Sequence, residues 1–169
     1  MATASPKLAL RPFLPEDTPL LAEIFRESIL ELTGDDYSEA QQEAWISRAE
    51  DLEAFAARLG KQLTLIATLE GSPVAFASLA GNTKIDMLFV HPIVSGQGAG
   101  RILIDALEKL AGARGAEKLT VDASDTARGF FEKRGYTAQQ RNSVSVGDEW
   151  LANTTLSKTL VKPEASQPS

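Results

Sequence analysis

The sequence predicts a mixed α/β sheet flanked by helices, and three observations carry that prediction. Hydrophobic periods of two and of 3.6 residues succeed one another in the order strand, helices, strand hairpin, strand, helix, strand, helix, hairpin. Residues 85–111, IDMLFVHPIVSGQGAGRILIDALEKLA, pass from apolar strand through a glycine-rich loop into a helix without a break. A length of 169 residues with 43% hydrophobic residues suits one domain with a sizeable core, and no internal repeat divides it.

Residues 1–6 are read as a flexible N-terminus, and residues 7–161 as a single domain. A short strand over residues 7–11 is broken by Pro12 and Pro15. Asp17, Thr18 and Pro19 start a helix whose stripe of Leu20, Leu21, Ile24, Phe25, Ile29 and Leu32 ends near Gly34. Ser38 followed by Gln41 reads as a capping box opening a second helix through Trp45, and residues 51–59 make a third, closed by Gly60. Strands over residues 62–69 and 74–80 are joined by a turn at 71–73, Gly-Ser-Pro. Then come the 85–111 unit and a strand in which Leu119, Val121 and Ala123 alternate with polar residues. Ser124 or Asp125 caps the following helix, and Gly135 ends it. Two last strands flank Gly147 and Asp148 and end near Val161; residues 162–169, KPEASQPS, are too polar to pack and read as a disordered tail.

Composition narrows the function classes. Seventeen basic against twenty-three acidic residues give a net charge of −6, which argues against nucleic-acid binding and mildly favours cationic small molecules. No run of eighteen apolar residues and no signal-peptide pattern occurs, so no membrane association is expected and the cytoplasm is the expected location. Zero cysteines exclude thiolate metal sites and any acyl-cysteine intermediate, and no metal site is predicted.

The loop after the first motif strand is built to hold an anion. Gly96, Gly98 and Gly100 alternate where side chains would block a ligand from the backbone, and the first amides of the next helix have no partner within it. A dinucleotide fingerprint starting at Gly96 needs glycine at 101, where Arg101 stands, and no Gly-Lys-Ser/Thr triplet forms a Walker A loop. SGQGAG at 95–100 instead resembles the acyl-CoA loop of the GNAT superfamily of N-acetyltransferases, with Gly98 and Gly100 in place and Ser95 where Arg or Gln is usual. Residues 121–136, VDASDTARGFFEKRGY, look like that family's second motif: Ala127, Phe130, Gly135 and Tyr136 match, and Phe131 replaces a Tyr often assigned as the acid that protonates the thiolate.

The resemblance implies a GNAT fold, a mixed and mostly antiparallel sheet of six to seven strands with helices on both faces. It implies acetyl-CoA as acyl donor, held by Leu88, Phe89 and Val90 on one splayed strand, by the loop Ser95, Gly96, Gln97, Gly98, Ala99, Gly100 and Arg101, and by Ser124, Ala127, Phe130 and Phe131. A small-molecule or peptide amine is the implied acceptor, and a homodimer is compatible with what is usual among relatives. An alkyl amine of pKa about 10.4 is protonated at neutral pH and needs a proton acceptor at attack. Asp86, an acid within an apolar strand, is the candidate base, with a strand-end Asp bonded to a neighbouring backbone group or to an arginine as the alternative reading; Asp122 ranks behind it because alternation turns it outward. Ser124 or solvent is the candidate acid, ahead of Tyr136, whose place suits a packed ring; His91 reads as a strand-end or capping residue. Asp36, Tyr37, Trp45, Trp150 and Asn153 are the candidate acceptor residues, as acidic and aromatic groups suit an ammonium ion. A regulatory acyl-CoA-binding module without turnover is the alternative function.

Overall fold

The computed structural model describes residues 7–160. Seven strands, β1 (Leu8–Pro12), β2 (Leu63–Leu69), β3 (Ser72–Ala80), β4 (Lys84–Val90), β5 (Lys118–Ser124), β6 (Thr137–Val146) and β7 (Glu149–Thr159), form one sheet in the order β1-β2-β3-β4-β5-β7-β6. Every neighbouring pair is antiparallel except β4 with β5. Helices α1 (Thr18–Leu32), α2 (Glu39–Ile46) and α3 (Leu52–Lys61) lie to one side, α4 (Ala99–Ala113) and α5 (Arg128–Lys133) to the other. Each side has its own core. Leu103, Ile104 and Leu107 of α4 pack on Ala67, Ala77 and Val121, whereas Leu21 and Phe25 of α1 and Phe55 and Leu59 of α3 pack on Ile66, Phe76 and Met87. Among the described residues no helix is long and apolar enough to cross a membrane.

The β4–β5 contact has only two rungs, Lys84 with Thr120 and Ile85 with Val121. Beyond them the strands separate, and residues 86–90 present an edge with no strand partner. A β-bulge begins the separation: Ser78 pairs with Met87 and Leu79 with Ile85, so Asp86 is the extra residue. Ile85 and Met87, two apart, would share a face in a regular strand; across the bulge they enter opposite cores.

Local chemistry explains most boundaries. Ser38 Oγ accepts from the Gln41 amide at 3.1 Å while Gln41 Oε1 accepts from the Ser38 amide at 2.8 Å, the expected capping box. Gly135 follows α5 at φ 94°, where a Cβ would be strained. Other expectations need correction. The β2–β3 turn is Glu70-Gly71, with φ of 52° and 84°, and Pro73 lies inside β3 beside a register shift at Ala67 and Thr68. Gly60 sits within α3, which runs to Lys61. Gly100 belongs to α4, so the loop ends at Gly98. Helix α5 starts at Arg128, because Ser124 Oγ accepts the Ala127 amide at 3.1 Å and closes a turn ahead of it. The last strand ends at Thr159. Residues 1–6 and 162–169, expected to be flexible, lie outside the described residues.

Candidate active site

A cavity of about 610 Å³ runs through the splay, from the α4 side to the α1–α3 side. Its α4 end is a backbone cradle. After β4, His91 Nδ1 accepts from the Ile93 amide at 3.2 Å, which fixes a 3-10 turn at Pro92–Val94 and makes the lone histidine a cap. Gly98 is the N-cap of α4 in a left-handed conformation, φ 92°. The amides of Gly96, Gly98, Ala99, Gly100 and Arg101 make no hydrogen bond among the described residues. A Cβ on Gly96 would meet nothing within 4 Å, so the cradle is open there; one on Gly100 would lie 3.4 Å from the Phe130 ring, so that glycine admits Phe130. Unpaired amides at the positive end of a helix dipole attract phosphate.

Most candidate donor-site residues meet in this cavity: Leu88, Phe89, Val90, Ser95, Gly96, Gly98, Ala99, Gly100, Arg101, Ser124, Ala127, Phe130 and Phe131 all line it. Gln97 does not; its side chain turns back to donate to the Ile93 carbonyl at 3.3 Å. Ser124 Oγ accepts from Ala127 and donates to no described acceptor. Phe131 is 1% exposed and packs on Tyr136. The Tyr136 hydroxyl donates to Glu108 at 2.8 Å, outside the cavity, and burial followed by the Glu108 carboxylate pushes its pKa far up.

Asp86 lies in the middle. Its Oδ2 accepts from Arg58 Nε at 2.9 Å and Gln62 Nε2 at 2.8 Å, and pairs with Arg58 Nη2 at 2.8 Å. Its Oδ1 accepts from no described donor. One oxygen is thus committed to an arginine and a glutamine, and the other is open. Asp122 is committed twice over. Lys84 Nζ at 2.8 Å and the Thr155 hydroxyl at 2.6 Å outweigh the burial that opposes its charge, and hold its carboxyl below the usual range.

The α1–α3 end is walled by rings. Phe25 and Phe89 stand 4.5 Å apart between centroids, Trp45 is 6.0 Å from Phe89 and Tyr37 is 5.5 Å from Trp45. The Tyr37 hydroxyl donates to the Ala152 carbonyl at 2.6 Å and accepts from the Asp125 amide at 2.9 Å, tying the α1–α2 loop to β5 and β7. Burial pushes its pKa up. Asn153 also lines the cavity, with its Oδ1 accepting from Asn142 at 2.9 Å.

Two acceptor candidates lie elsewhere. Asp36 lies off the cavity and accepts from the Thr126 hydroxyl at 2.7 Å. Trp150 is 63% exposed and off the cavity, because strand alternation sends Leu151 inward and its neighbour out. Of the acceptor candidates, Tyr37, Trp45 and Asn153 thus line the cavity, and Asp36 and Trp150 do not. Sequence reasoning missed Ser28, Thr33, Arg48, Arg58, Val144, Val146 and Leu151, all of which line the cavity. Only Val144, Val146 and Leu151 carry a usable signal, the alternation of their strands.

A family model for the acetyltransferase (GNAT) domain matches residues 33–155. The uncharacterised N-acetyltransferase YafP of Escherichia coli K12 is 31% identical over 146 residues, 86% of this chain and 92% of its own. A crystal structure described as a GCN5-related N-acetyltransferase, aminotransferase class II, from Rhodopseudomonas palustris superposes with a TM-score of 0.90 at 64% identity, covering 95% of this chain and 99% of its own. The PaiA N-acetyltransferase of Thermoplasma acidophilum, solved with coenzyme A, shares the fold at a TM-score of 0.75 and 20% identity, over 90% of this chain and 99% of its own.

Proposed function

The chain belongs to the GNAT acetyltransferase family, and on that premise we propose that it moves the acetyl group of acetyl-CoA directly to a primary amine. The observation that carries this reading is the continuity of one cavity from an anion cradle, past an unpaired strand edge, to a carboxylate oxygen with no partner. Acetyl-CoA fits what the residues offer, and supplies an acyl group activated as a thioester. The five unpaired amides and the Arg101 guanidinium suit its pyrophosphate, and the edge at residues 86–90 suits its amide-bearing pantetheine arm. A backbone amide on that edge suits the carbonyl oxygen.

In this reading Asp86 Oδ1 takes the proton of the attacking amine, while Arg58 and Gln62 hold Oδ2 and so fix the plane of the carboxylate. The N–C bond forms as the C–S bond breaks, with no protein thiol able to intervene. Phe131 has no hydroxyl for the departing sulfur. Ser124, whose O–H is uncommitted, supplies the proton, or water does. Absence of a ring hydroxyl at Phe131 also favours the second reading, a module that binds acyl-CoA without turnover. Thiol release from acetyl-CoA across a panel of amines, beside calorimetric binding of acetyl-CoA, separates them: amine-dependent release supports transfer, and tight binding without release for any amine supports the module.

A further inference from the structure

The walls of the cavity carry four cations, Arg48, Arg58, Lys84 and Arg101, and two acids, Asp86 and Asp122. Arg58 pairs with Asp86 and Lys84 with Asp122. That leaves Arg101 and Arg48 without an ion-pair or hydrogen-bond partner among the described residues. They sit at opposite ends. Arg101 comes from α4, beside the cradle. Arg48 lies in the 3-10 turn Ser47–Ala49 between α2 and α3, next to Trp45, and Ala49 anchors that turn in the α1–α3 core. The phosphate end accounts for Arg101 only, so Arg48, solvent-exposed at the rim, borders the acceptor half without an ion-pair partner among the described residues.

A second group there is also uncommitted. Ser28 of α1 is 7% exposed and lines the same cavity, yet its hydroxyl bonds to nothing described. The residue is nine-tenths buried, yet its hydroxyl is not sealed off: it opens on the cavity, where a ligand can bond to it. The turn carrying Arg48 packs against α1, so a cation and a hydroxyl border one aromatic chamber. Cation, hydroxyl donor and apolar walls suit a carboxylate on an apolar body.

Resting on the acetyl-transfer reading, we propose that the acceptor carries a carboxylate as well as its amine: it is an amino-acid-like molecule with an apolar or aromatic side chain, bound through Arg48 and Ser28. A dication such as a polyamine meets an unneutralised guanidinium at this wall. The protein's net charge of −6 points the other way, but it is spread over the whole surface and screened within about a Debye length, whereas Arg48 borders the chamber itself.

Matched pairs test this: alanine with ethylamine, leucine with isoamylamine, phenylalanine with phenethylamine. Thiol release is measured for each pair, and calorimetry follows N-acetylphenylalanine and N-acetylphenethylamine binding to the protein saturated with CoA. The expected result is a preference for the acid in at least one pair, by about ten- to a hundredfold in kcat/KM, as for a lost hydrogen bond to a charged group. Arg48→Gln collapses that ratio, Arg48→Lys restores part of it and Arg48→Glu inverts it. Equal use of both members, or variants that lower both alike, overturns the proposal while leaving acetyl transfer standing. If no amine is acetylated, transfer itself fails, and the calorimetric pair still decides: tighter, Arg48-dependent binding of the acid supports the site, and equal or absent binding overturns it.

Discussion

Asp86→Asn tests the chemistry most directly, and its size follows from the acceptor. An alkyl amine of pKa about 10.4 is free in only about one molecule in a thousand near pH 7.4. A base that takes the proton at attack recovers up to that factor, within the range of about 10² to 10⁴ typical of general bases. The amide oxygen of the variant can still accept from Arg58 and Gln62, leaving an NH2 where Oδ1 was open. Loss of charge costs the partly exposed Arg58 pair about 1 kcal/mol or less, so the fold persists. In a thiol-release assay kcat/KM should fall about 10²- to 10³-fold near pH 7.4, about 3–4 kcal/mol in barrier. The deficit should shrink roughly tenfold per pH unit and vanish near about pH 10, where the amine deprotonates unaided. An equal loss at every pH would mean that Asp86 only supports the cavity, and no loss at any pH would remove it from the mechanism.

Three further outcomes follow from other contacts. Tyr37→Phe removes both bonds of a hydroxyl that ties three elements together, so thermal unfolding should show about 1–3 kcal/mol of lost stability; an unchanged Tm would show that the tie contributes nothing. Asp17 is 5% exposed and its carboxyl is held below its usual range first by Arg11, at 2.7 and 2.8 Å, against the opposing effect of burial. Since its folded pKa is depressed, its contribution is present above the unfolded value of about 3.9 and fades as pH falls through the folded one. The stability gap between the wild type and Asp17→Asn should therefore narrow below about pH 4, and a gap that widens in acid would contradict this. Glu70 holds a left-handed φ of 52° in the β2–β3 turn, so Glu70→Asn should stabilise by about 0.5–1 kcal/mol in denaturant titration; a loss would show that the Glu70 side chain has a role beyond the turn.

What could be read in the sequence was what is local. The capping box of α2 and the alternation of β5 each depend on residues within a few positions and lie where they are expected, and the glycine loop does so up to Gly98, with Gly100 inside α4. Asp86 was picked out for its chemistry, but the bulge that positions it was not visible, since the sequence of β4 looks like a plain apolar strand and the extra residue exists only against β3. The β2–β3 turn lies earlier than the sequence suggests, because Pro73 reads as punctuation although the left-handed Glu70 and Gly71 make the reversal. The acceptor wall was the least legible. Its residues come from α1, α2, α3, β6 and β7 and are brought together only by packing, so Arg48 and Arg58 look like ordinary surface charges, while the more conspicuous Asp36 and Trp150 point elsewhere.

Two rungs between β4 and β5 leave the sheet as two plates, four strands and three, riveted at one corner. The core under α4, which packs on Ala67 and Ala77 of one plate and Val121 of the other, spans the seam between them from one side. A molecule laid along that seam, bonding to the bare edge of β4 while its phosphates occupy the α4 cradle, acts as an additional strand. The donor would then be a structural member as well as a reactant, raising the unfolding temperature with the logarithm of its concentration above the dissociation constant and stiffening the seam just when the acceptor must be aligned.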